Sequence, residues 1–228
     1  MQRSELRAAS ARSGAATASH EAAHETVHET AHDVQQAYDR RSAEYAERLG
    51  TMVAVHPSDR ALVEHWADGV TGTVLDAGCG PGHWSDHLRR RGVDVRGIDL
   101  SPRFVEHARA EYPDVAFTLG SLETIPEDSA SLGGILAWYS LIHMEPSRLG
   151  TVLNEFARVL RPGGALMLGF FDGADAETFD HAVISARTWS VSDMARQLEA
   201  AGFDVVETHR RTGPGHRPHA AITALRRS

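Results

Sequence analysis

The sequence predicts an α/β protein in which strands and helices alternate around a mostly parallel sheet. Three observations predict it. The run Thr73-Val-Leu-Asp-Ala-Gly-Cys-Gly-Pro-Gly-His-Trp84 passes from a β-branched and apolar stretch through an acid into three glycines at alternate positions, and a helical pattern follows. A second short apolar run, Val93-Asp-Val-Arg-Gly-Ile98, ends in the acid Asp99, about 20 residues after the turn. Downstream, short apolar runs keep alternating with amphipathic helical patterns, as repeated βαβ units require.

The spacing of the glycines narrows the ligand. A dinucleotide site places glycines as G-x-G-x-x-G so that a pyrophosphate sits on the helix N-terminus. Counted from Gly78, the third glycine of that pattern falls at residue 83, which is His83. The pattern present is D-x-G-x-G-x-G, with Asp76 before Gly78, Gly80 and Gly82. An acid closing the second strand of a βαβ unit accepts both hydroxyls of a ribose. Two acids and a glycine turn without a phosphate grip point to a nucleoside ligand that carries no phosphates.

These residues resemble the first motif of the class I S-adenosylmethionine-dependent methyltransferases. Leu160-Arg-Pro-Gly-Gly-Ala-Leu166 is similar to the L-x-P-G-G-x-L that opens the fifth strand in their small-molecule (type 11-like) branch. The resemblance covers roughly residues 34 to 226. It implies a Rossmann-like, seven-stranded, mostly parallel sheet with helices on both faces and an antiparallel C-terminal strand. It implies S-adenosylmethionine as cofactor, with Asp76 at the methionine amino end and Gly78, Gly80 and Gly82 giving close approach. Asp99 would accept the ribose hydroxyls, Leu100 would lie against the adenine, and Ser121 and Leu122 would meet its edge. Trp138 and Tyr38 would border the same ligand. The chain departs from the family at Ser121, where an acid commonly stands, and at Gly133-Gly134, where many relatives place an acid before the fourth strand.

The elements follow in order. Apolar and aromatic residues at 34, 37, 38, 45, 46 and 49 form a loose helical stripe, and the resemblance makes residues 34–70 a helical lid. Pro57 to Trp66 reads as a second helix with Pro at its start and Leu62, Val63 and Trp66 inward. Trp84 to Arg91 is the first crossover helix, stopped by Gly92. Ser101 and Pro102 supply an N-cap and a first helical position, and that helix runs to about Tyr112. Val115–Leu119 and Ile135–Trp138 are strands. Leu149 to Leu160 carries a clean amphipathic stripe. Ala165–Phe171 is the fifth strand, and residues 172–188 read as a loop or short helix over the site. Ser190 opens the last helix and Gly202 closes it. Phe203–Thr208 and Ala220–Leu225 close the sheet around Gly213-Pro-Gly215.

Composition bounds the rest. A chain of 228 residues supports one domain plus a tail. With Lys+Arg 23 against Asp+Glu 31 the net charge is −8, which argues against a nucleic-acid partner, since phosphate neutralisation needs clustered cations. An N-P-P-Y-like motif of amino-group methyltransferases that act on nucleic acids is missing at the end of the fourth strand. The single cysteine, Cys79, leaves no intrachain disulfide and fits a reducing, cytoplasmic setting. No stretch reaches the ~18 apolar residues that span a membrane. Residues 1–19 lack an apolar signal core, and their Arg, Ser and Ala content is weakly similar to a transit peptide.

Residues 1–33 form a His-rich, low-complexity extension. His20, His24, His28 and His32 recur every four residues, and H-E-x-x-H occurs three times in register. That is the zincin pattern, but a tetrapeptide repeat generates it automatically, and the surrounding alanines cannot anchor a buried metal helix. No metal is therefore assigned, and the segment reads as a disordered extension.

The chemistry implied is methyl transfer to an O, N or C atom of a small-molecule acceptor. A sulfonium leaving group is already activated, so positioning is the main task. A base helps where the acceptor arrives protonated. His143 and Tyr139, just past the fourth strand, are the candidate bases, with Asp172 and His181 behind them. The alternative is a protein that keeps the fold and cofactor without catalysing transfer.

Overall fold

A computed structural model describes residues 36, 50–174, 178–179, 186–213 and 216–228. The histidine ladder, Tyr38, His181 and, apart from Gln36, the helix expected over residues 34–49 lie outside the described residues.

Helix α1 (Pro57–Asp68) begins where a proline sits at the first position and His56 caps it, its ring nitrogen accepting from the Ser58 N–H at 3.2 Å. Strand β1 (Val74–Ala77) leads through the glycine turn into α2 (His83–Arg90), and β2 (Val95–Asp99) leads into α3 (Pro102–Glu111). Ser101 caps α3 by accepting from the Phe104 N–H at 3.2 Å. Strands β3 (Ala116–Leu119) and β4 (Leu132–Trp138) precede α4 (Pro146–Val159) and β5 (Leu160–Asp172). A short pair, β6 (Thr178–Phe179) and β7 (Ala186–Trp189), comes before α5 (Val191–Ala200), β8 (Phe203–Gly213) and β9 (His216–Arg226).

The strands lie in the order β3-β2-β1-β4-β5-β9-β8. The first five are parallel, and β9 runs antiparallel between β5 and β8. The order reverses between β1 and β4, which opens a crevice at their carboxyl ends. Side chains alternate across the sheet as its period of two requires. Ile135, Leu166 and Leu168 pack on one face against Leu153 and Phe156 of α4 and Leu198 of α5. Leu136 and Met167 pack on the other with Trp66 of α1 and Leu88 of α2. Helices thus cover both faces, as expected.

Several boundaries differ from the sequence reading. Strand β4 starts at Leu132 and takes in Gly133-Gly134, because β1 and the chain before it press on that point: a Cβ on Gly133 would stand 1.9 Å from the Thr71 carbonyl oxygen. An acid in place of Gly133, as the resemblance led one to expect near this point, has no room in this chain. Strand β5 starts at Leu160 and carries the Arg161–Gly164 turn as an irregularity, since Leu132 pairs with Leu160 but Gly134 with Ala165. The stretch expected as loop or short helix instead contains β6 and β7, an antiparallel pair attached in parallel to the tip of β5 through Phe171 and Thr188. Strands of two and four residues are too short to show a period. No helix among the described residues is long and apolar enough to cross a membrane.

Candidate functional site

A cavity of about 910 Å³ opens at the crevice between β1 and β4. Of the residues singled out from sequence, Asp76, Gly78, Gly80, Asp99, Leu100, Ser121, Leu122, Trp138, Tyr139 and His143 line it. Gly82 does not. Its φ is +91, and a Cβ there would meet Ala108 and Phe117 at 2.9 Å, so this glycine serves the packing of α2 on α3 and β3. Asp172 also falls outside the lining; its carboxylate pairs with Arg210 at 3.0 Å. Tyr38 and His181 lie outside the described residues.

The glycine turn is pinned from beneath. The N–H groups of Gly78 and Cys79 both donate to the Ile98 carbonyl, at 2.8 and 3.0 Å, which ties the end of β1 to the end of β2. Gly80 has φ +52 and no atom within 4 Å of where a Cβ would stand, leaving its backbone open to a ligand. Its N–H donates to Asp99 Oδ2 at 2.8 Å, and the Ser101 N–H donates to Oδ1 at 2.8 Å. Two backbone donors thus orient the Asp99 carboxylate at the cavity wall.

Asp76 is buried, and its Oδ2 accepts from Ser85 Oγ at 2.6 Å. Burial pushes its pKa up to about 7; the Ser85 hydrogen bond opposes the rise and the charge of Asp99 adds to it. His83, in the first turn of α2, is held neutral, its pKa lowered to about 4 by burial and secondarily by His87. Its Nδ1 and the Oγ of Ser140 are buried with no hydrogen-bond partner among the described residues, and both residues line the cavity. Each such group costs ~1–3 kcal/mol until something pairs with it. A ligand with polar ends beside Asp76 would satisfy them, so the residues here fit an amino-acid moiety next to a ribose.

The other end of the cavity is built from distant segments. Tyr139 has φ +57, unusual for a residue with a side chain. Its ring stands between Trp138 at 5.5 Å and Phe171 at 5.1 Å, and its hydroxyl bonds to Nδ1 of His219 on β9. Arg211 on β8 pairs with Asp59 of α1 through two hydrogen bonds of 3.0 and 2.7 Å, and Arg148 pairs with Glu123 at 2.7 and 2.8 Å. None of His219, Arg211, Asp59 or Arg148 carries a local motif, and Arg211 and Asp59 are 152 residues apart, so only folding brings them together.

Residues 74–164 match a family model described as a methyltransferase domain. Through these residues the chain is similar to S-adenosylmethionine-dependent methyltransferases. Over 129 residues it is 35% identical to malonyl-[acyl-carrier protein] O-methyltransferase of Salmonella typhimurium, covering 53% of this chain and 51% of that one. The protein of the same name from Serratia marcescens is 28% identical over 193 residues, 83% of this chain and 66% of its own length. The chain therefore spans about half to two thirds of the length of these two curated relatives. Among solved structures, Burkholderia thailandensis 1,6-didemethyltoxoflavin-N1-methyltransferase, with bound 1,6-didemethyltoxoflavin and S-adenosylhomocysteine, superimposes with a TM-score of 0.72 at 25% identity, covering 88% of this chain and 90% of that one. Magnesium protoporphyrin IX methyltransferase from Synechocystis shares the fold, with a TM-score of 0.69 at 18% identity over 86% of this chain and 97% of its own.

Proposed function

We propose that this chain transfers a methyl group from S-adenosylmethionine to an O, N or C atom of a small-molecule acceptor. The observation that carries the reading is one continuous cavity with two unlike ends, a backbone-oriented carboxylate with an open glycine at one and a cluster of aromatic rings at the other. Asp99 accepts the ribose hydroxyls, Leu100 lies on the adenine, and Ser121 and Leu122 meet its edge. Asp76, His83 and Ser140 serve the methionine end. The bound cofactor supplies a methyl group on an activated sulfonium, so the protein's contribution is positioning, worth on the order of 7–11 kcal/mol when reactants are held in line. His143 and Tyr139 are the candidate bases beside the acceptor.

The relatives are named for acceptors as unlike as malonyl-[acyl-carrier protein] and 1,6-didemethyltoxoflavin, and the acceptor of this chain follows from its own pocket. The methyltransferase unit spans residues 34–228, with 34–70 as its lid, and works in the cytoplasm on substrates other than nucleic acid. Calorimetric titration with S-adenosylmethionine and, separately, with NAD tests the reading. Micromolar binding of the first alone, followed by acceptor-dependent release of S-adenosylhomocysteine, is the expected result. Failure to bind S-adenosylmethionine would overturn it.

A further inference from the structure

We propose that Tyr139 and His219 form a proton relay serving the acceptor, and that the acceptor is a hydroxylated aromatic ring. The inference rests on the function proposed above and deepens it.

Tyr139 is placed at a cost. A non-glycine residue at φ +57 carries strain of order 1–3 kcal/mol, which persists only where the surroundings enforce it. Here they do so from three strands: Trp138 at the end of β4, Phe171 on β5 and His219 on β9 all pack on the ring, and its hydroxyl shares a hydrogen bond with Nδ1 of His219. The tyrosine and the histidine both line the cavity. Burial, and to a lesser degree the charge of Asp59, raise the Tyr139 pKa, so at neutral pH it is a phenol that carries a proton rather than a tyrosinate.

Two features of the cavity select the acceptor. The rings of Trp138, Tyr139 and Phe171 offer flat apolar and edge contacts of the kind aromatic molecules prefer. The two arginines that line the cavity, Arg148 and Arg211, are each held bidentate by a carboxylate, so a carboxylate acceptor would have to break an existing pair to gain a cation. An acceptor that arrives neutral and must lose a proton suits this cavity better than one already ionised.

The transfer balances. With Nδ1 of His219 unprotonated and accepting from Tyr139, the acceptor's O–H bond breaks and its proton forms a new O–H bond on the Tyr139 oxygen. The original Tyr139 proton passes to Nδ1, giving an imidazolium, and the tyrosine ends as it began. The lone pair left on the acceptor oxygen is the nucleophile, and His219 later returns the proton to solvent. The charged groups facing this pair are Asp59 from α1 and Arg211 from β8, bound to each other, while His143 and Asp76 line the same cavity further along the crevice.

The test uses 4-nitrophenol, whose anion is yellow and whose acid is not, added to the full chain saturated with S-adenosylhomocysteine. The bound probe is expected to ionise about one pH unit or more below the free probe. Tyr139→Phe, which keeps the ring and removes the hydroxyl, and His219→Gln should each abolish that shift while leaving S-adenosylhomocysteine affinity within about twofold, a change of only ~0.4 kcal/mol. No binding of the probe would overturn the acceptor class. Binding without a shift, or a shift that survives both substitutions, would overturn the relay. A shift lost in His143→Gln and kept in His219→Gln would transfer the role to His143. Failure of the wild-type chain to bind S-adenosylhomocysteine would instead remove the functional reading beneath the proposal, and the proposal with it.

Discussion

Replacing Asp76 by Asn should stabilise the protein above neutral pH and flatten its pH dependence. Asp76 is 2% exposed and has one strong partner, Ser85 Oγ at 2.6 Å. Its pKa rises from 3.8 to about 7 on folding, chiefly through burial. Between those values the unfolded state binds fewer protons than the folded one, so stability falls as pH rises. The penalty is absent below the unfolded value and complete once pH passes the folded value near 7. A shift of about three units at 1.36 kcal/mol each gives on the order of 4 kcal/mol. Asn retains the shape and can still accept from Ser85 without the charge. Thermal unfolding of both proteins at pH 5 and pH 8 measures the difference. The wild type should lose stability between them, and Asp76→Asn should not, with a gap at pH 8 of up to about 8–16 °C for a chain of this size. Parallel curves for the two proteins would refute the view that burial holds this carboxyl near neutrality.

Other predictions follow from the same geometry. Asp99→Ala should weaken S-adenosylmethionine binding at least tenfold, about 1.4 kcal/mol, because it strands two ribose hydroxyls and frees the Gly80 and Ser101 N–H groups, as calorimetry would register. Phe156→Ala, at a fully buried position between α4 and the sheet, should cost about 3–5 kcal/mol in denaturant unfolding with no change in slope. Gly133→Asp should abolish soluble folded protein, because its Cβ would overlap the Thr71 carbonyl oxygen. Deleting residues 1–33 should leave cofactor affinity unchanged, and a tenfold loss would move the domain boundary toward the N-terminus.

What the sequence determined by itself was local and periodic. The turn at Gly78–Gly82, the acid Asp99 at the end of β2, the caps at Ser101 and Ser190 and the amphipathic stripe of α4 each depend on residues a few positions apart, and all were legible without coordinates. The parallel core was equally legible, because strands buried on both faces read as continuous apolar runs. Tertiary structure decided what depends on distant partners. Gly82 has the same alternate spacing as Gly80, yet one packs against Phe117 and the other opens on the cavity, a difference set by where α3 and β3 lie. The two glycines before Ile135 are required by the approach of Thr71 and Val70, which no window around β4 contains. The acceptor end of the cavity was the least legible part. His219 reaches Tyr139 across 80 residues and Arg211 reaches Asp59 across 152, so their chemistry exists only after β9 has inserted beside β5 and β8 has closed the sheet.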